Sequence, residues 1–108
     1  MFIAMNRFKV NAGREADFEE MWRSRETFLD QVPGFVAFAL LRGDLKDGTT
    51  DFISHSTWRS RADFEAWTQS EQFRAGHAQG SVAGVLAGHP EVSLYDAVLE
   101  QSRAAAEA

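Results

Sequence analysis

Two side chains in one stretch of this sequence raise the question of a shared ligand: the indole of Trp67 and the imidazole of His77. Trp67 and His77 lie in FEAWTQSEQFRAGHAQ, residues 64–79, ten positions apart. On one continuous α-helix that separation leaves the two side chains about 80° apart in azimuth and roughly 15 Å apart along the axis. Such spacing suits a large flat ligand better than a small one. It decides nothing alone, because most Trp and His residues on amphipathic helices serve packing or face solvent. Asn6 falls between Ala4 and Phe8 on an otherwise apolar strand face, where an unpaired amide costs on the order of 1–3 kcal/mol. A nearby backbone group would satisfy it without any function.

Several other chemistries are excluded or disfavoured by what the chain contains. It has no cysteine, which removes disulfides, thiolate metal sites and a Cys nucleophile and permits a reducing compartment. His55 and His89 show neither zincin nor facial-triad spacing. Phosphate-loop, Rossmann and nucleophile-elbow motifs are missing too. A net charge of −5 argues against a nucleic-acid footprint or a polybasic membrane patch. Neither a leader-like start nor a run of membrane-spanning length is present, so the expectation is a soluble, cytoplasmic protein. With Lys9 and Lys46 the only lysines, the basic residues are mostly arginine, which favours bidentate carboxylate contacts. Arg25, three residues after Trp22 and four after Met21, lies close to the apolar stripe of its helix; Arg23 lies on the more polar side.

The elements that must position these residues are short. Residues 2–10 alternate as a strand, with Phe2, Ala4, Asn6, Phe8 and Val10 on one face. Helical spacing of Phe18, Met21, Trp22, Phe28, Leu29 and Val32 predicts a helix across 13–32, stopped by Pro33-Gly34. FVAFALLR (35–42) reads as a buried strand, 43–50 as a hairpin loop and 51–58 as a third strand. Ser60, with Asp63 three residues on, resembles a capping box opening a second helical region. Thr68-Gln69-Ser70 should break that region, Ser70 acting as a fresh N-cap, so the straight helix assumed above need not exist. Residues 80–90 read as a mobile loop or frayed helix, and 91–100 as the last strand. The expectation is a single domain over 1–100 with a C-terminal tail at 101–108. In the order β-α-β-β-α-β this is a ferredoxin-like α+β fold, one antiparallel sheet with both helices on one face. Apolar side chains also point to the other face, which a homodimer pairing two such faces would explain.

MFIAMNRFKV, the PGF at 33–35, LLRG at 40–43, STWRS at 56–60 and the FEAWT, SEQFR and GHA segments of 64–78 resemble the IsdG-type heme-degrading monooxygenases. These belong to the antibiotic-biosynthesis-monooxygenase (ABM) group of dimeric α+β barrels. The resemblance is close over 1–78 and generic over 91–100. It implies that heme is both substrate and oxygen-activating cofactor, opened at a meso carbon by iron-bound dioxygen with electrons from an external reductant. It also implies His77 as axial iron ligand, Asn6 as a donor toward the bound dioxygen and Trp67 as the bulky group that presses on and distorts the porphyrin. One neutral imidazole suffices for heme, whereas a bare metal site would want more ligands. Arg25 is the candidate for a heme propionate, while Trp22 and Trp58 are assigned to the core. Two alternatives remain: a cofactor-free monooxygenase of an aromatic polyketide or quinol, and a non-catalytic heme carrier or sensor.

Overall fold

The computed structural model describes residues 1–77 and 84–103, with the backbone alone at 76 and 77. Strands β1 (Phe2–Asn11), β2 (Phe35–Lys46), β3 (Thr49–Trp58) and β4 (Glu91–Asp96) form one antiparallel sheet in the order β2-β3-β1-β4. Helices α1 (Glu15–Ser24), α2 (Arg61–Thr68) and α3 (Glu71–His77) complete the ferredoxin-like arrangement.

Period two decides what β1 buries. Phe2, Ala4, Phe8 and Val10 are each at most 8% exposed and point to the helices. Two apolar clusters form on that face. Phe8, Val10, Phe18, Phe52 and Val85 make one, and Phe2, Leu29 and Trp58 the other. Each fully buried Phe or Val contributes roughly 1.5–3 kcal/mol. Between the clusters the register sets Ala4 opposite Ser56 and Asn6 opposite Ser54, a block of small side chains flanked by Phe2 and Trp58 at one end and Phe8 and Phe52 at the other. The opposite face carries Ile3, Met5, Leu41, Ile53 and Tyr95, and Leu41 and Tyr95 remain about half exposed in the single chain.

Four boundaries differ from the sequence expectation. α1 ends at Ser24 rather than near 32, because Arg25 is extended (φ −76°, ψ 130°) and Phe28 is left-handed at φ 58°. Apolar residues beyond the helix stay in phase yet serve the other cluster, through a 3₁₀ turn at Leu29–Gln31. The expected loop 43–50 shrinks to a tight turn at Asp47-Gly48, whose φ values of 53° and 82° suit a two-residue hairpin. β4 stops at Asp96, leaving Val98 and Leu99 exposed. In the stretch expected to be mobile, residues 80–83 lie outside the described residues, but Val85 is buried. There Asn11 donates to the Val85 carbonyl at 2.8 Å and Val10 bridges Leu86.

Candidate active site

The small block on the sheet becomes the floor of a cavity of about 300 Å3, because Ala4, Asn6, Ser54 and Ser56 cannot fill the space between the two clusters. Aromatic side chains wall it: Trp22 from α1, Phe38 from β2, Phe64 and Trp67 from α2, and Phe73 from α3. Trp22 and Phe38 stack with centroids 5.5 Å apart.

Local sequence explains how α2 and α3 arrive there. Ser60 accepts the Asp63 backbone N–H at 3.1 Å and caps α2. The helix stops after Thr68, and Ser70 both donates to the Trp67 carbonyl at 2.6 Å and accepts the Phe73 N–H at 3.2 Å. One serine thus closes α2 and opens α3, as its position between two apolar turns predicts. The break allows Phe73 to pack edge-on against Trp67, centroids 4.8 Å apart at 84°.

Three of the four site residues expected from sequence, Asn6, Trp67 and Arg25, line this one cavity. The fourth, His77, is the last residue of α3, and its side chain falls outside the described residues. Arg25 is reached through the unwound segment after α1 rather than along a helix, and its guanidinium lies 4.7 Å from the Trp22 ring centre. Burial pushes the Arg25 pKa below its ordinary value. Arg23 is exposed and paired with Glu19 at 3.3 Å, as a solvated helix residue should be. Trp58 is core as expected, and Trp22, which packs against the Phe8 and Phe18 cluster, also walls the cavity. The contribution of Ser54 and Ser56 had no signal in sequence beyond their small size on an otherwise bulky strand face.

Two polar atoms here lack hydrogen-bond partners although buried, Asn6 Oδ1 and Trp22 Nε1. An aromatic-walled slot with a few polar groups and an arginine suits a large, flat, mostly apolar ligand with an anionic edge. No cluster of metal-binding side chains occurs among the described residues.

The profile of the antibiotic biosynthesis monooxygenase family matches residues 1–79. The chain belongs to this family. Among relatives of this ABM protein, a "Heme-degrading monooxygenase" of Bacillus thuringiensis (strain Al Hakam) is 29% identical over 100 residues, covering 89% of each chain. Another of that name, from Shouchella clausii (strain KSM-K16), is 32% identical over 69 residues, 63% of this chain and 64% of the other. Of solved structures, the heme-degrader MhuD of Mycobacterium tuberculosis, with two hemes in its active site, matches with TM-score 0.73 at 24% identity. That match covers 94% of this chain and 100% of MhuD. A mutant MhuD with two manganese protoporphyrin IX molecules per active site gives TM-score 0.74 at 25% identity, over 94% of this chain and 99% of the other.

Proposed function

We propose that this ABM protein is a heme-degrading monooxygenase of the IsdG type, cytoplasmic and working as a homodimer. The observation that carries the reading is the aromatic-walled cavity that gathers Asn6, Trp67 and Arg25 on a floor of small residues. The heme-degrading relatives support it. Among the described residues no helix is long and apolar enough to cross a membrane. The apolar open face of the sheet supports pairing with a second copy.

Bound heme supplies the oxygen chemistry, opening of the macrocycle at a meso carbon with release of iron and an open-chain tetrapyrrole, given dioxygen and electrons from an external donor. The chain's own residues bind and orient. Trp67, braced by Phe64, Phe73 and Trp58, is a rigid wall that presses on the porphyrin face. Asn6 offers its amide protons from the floor to dioxygen. Arg25, its guanidinium held over the Trp22 ring, pairs with a propionate. His77, four positions after the cavity residue Phe73 on α3, supplies the neutral imidazole for iron. Catalysis by a side-chain acid or base is not needed.

Titration with hemin, followed by addition of ascorbate in air, tests ligation and turnover together. Growth of a Soret band and its loss on reduction are expected. If no Soret band forms, the cofactor-free alternative takes over. A band that survives reductant and dioxygen makes the protein a carrier.

A further inference from the structure

Ser56 and Trp58 are alternate residues of β3, so both stand on the helix-covered face. The Trp58 Nε1–H donates to Ser56 Oγ at 3.0 Å, and Ser56 Oγ donates to the Ala4 carbonyl at 3.3 Å. Trp58 is 0% exposed, so bulk water does not reach its N–H in place of the hydroxyl. Turning the Trp58 indole over would strand its N–H in the core, at roughly 1–3 kcal/mol. The hydroxyl therefore selects one orientation of Trp58. That ring in turn supports Trp67, with centroids 5.1 Å apart and planes at 33°.

We propose that Ser56 is a positioning residue for Trp67: through Trp58 it sets the pitch at which the Trp67 ring enters the cavity. The functional consequence rests on the reading of Trp67 as the wall that bears on heme, whereas the geometric claim does not. No contact between Ser56 and substrate is required, although Ser56 also lies on the cavity floor.

Two neighbouring indoles give an exciton couplet in circular dichroism, which reports their mutual angle without any ligand. Loss of the couplet in Trp58→Phe and in Trp67→Phe assigns it to this pair. Ser56→Ala should weaken or reshape the couplet, and Ser56→Thr, which keeps the hydroxyl, should restore it. A wild-type couplet in Ser56→Ala overturns the proposal. With hemin, Ser56→Ala should lower kcat about tenfold, less than the roughly hundredfold that a 1 Å misplacement of a positioning group can cost. In a Trp58→Phe background the same substitution should cause no further loss. Additive losses would mean that Ser56 acts on the ligand itself and would overturn the relay. Should the wild type fail to turn over hemin, the proposed function falls, and the couplet alone decides whether Ser56 orients Trp67.

Discussion

The Arg25 guanidinium lies over the Trp22 ring, 4.7 Å from its centre, although the two residues are joined by the last turn of α1 and an extended residue rather than by a continuing helix. Their stacking keeps a cation beside an otherwise apolar cavity. Arg25→Ala should therefore weaken hemin binding modestly, more so at low salt than at high salt, because a part-exposed ion pair is worth about 0–1 kcal/mol and is screened. Hemin titrations at two ionic strengths check this. Wild-type affinity at both would place the propionates elsewhere.

Asn6 presents the opposite case, a polar group whose removal should spare the fold. Its Oδ1 is buried without a partner, so Asn6→Ala relieves an unsatisfied acceptor instead of breaking a hydrogen bond. Thermal unfolding should shift little and hemin should still bind, but turnover with ascorbate and dioxygen should be lost. Full activity in this variant would remove Asn6 from the oxygen chemistry.

For His77 the expectation is selective. Substitution by Ala at the last position of α3 should leave the far-ultraviolet circular dichroism unchanged and abolish or severely weaken heme ligation. A wild-type Soret maximum and affinity in His77→Ala would assign the iron to another ligand.

How much of this was legible in the sequence depended on whether the cause was local. Ser60 and Ser70 cap their helices because a hydroxyl three residues before a free N–H is sufficient, and both follow the sequence expectation. β1 follows its period-two pattern for the same reason. The end of α1 is not readable, since Leu29 and Val32 keep helical phase while belonging to a different cluster; only the backbone at Arg25 and Phe28 reveals the change. Nor is the cavity floor. Ser54 and Ser56 become a floor only when the β1–β3 register sets them beside Asn6 and Ala4, and that long-range pairing is invisible to a local pattern. Trp22 packs on the Phe8 and Phe18 cluster as its helical stripe predicts, but that it also walls a cavity is not legible in that stripe.

Glu15 gives a prediction in pH. Its own backbone N–H, the Thr50 hydroxyl at 2.8 Å and the Gly13 N–H at 2.8 Å hold its carboxyl below the usual range. A carboxylate depressed in the folded state contributes stability that is complete above its unfolded pKa and is lost as pH falls through the folded value. Glu15→Gln should therefore lower the melting temperature at neutral pH and converge on wild type in acid. Melting curves across the acid range test this, and a difference that persists unchanged to low pH would contradict the assignment.

Gly34, which leads into β2, and Gly48, in the hairpin turn that follows it, form a matched pair. Both adopt positive φ, 83° and 82°, so an added Cβ strains either backbone by about 1–2 kcal/mol. Only at Gly34 does the new Cβ also collide with Asp63, in the first turn of α2; at Gly48 it meets nothing within 4 Å. The Gly34 carbonyl accepts the Arg59 N–H at 2.8 Å, so relieving the collision disturbs the junction between the start of β2 and the end of β3 that leads into α2. Gly48→Ala should thus incur only the backbone strain and bind hemin normally. Gly34→Ala should be destabilised further, and Asp63→Gly in the same chain should recover the difference. Chemical denaturation of the three variants measures it, and equal losses at the two glycines would mean that the Asp63 side chain yields without cost.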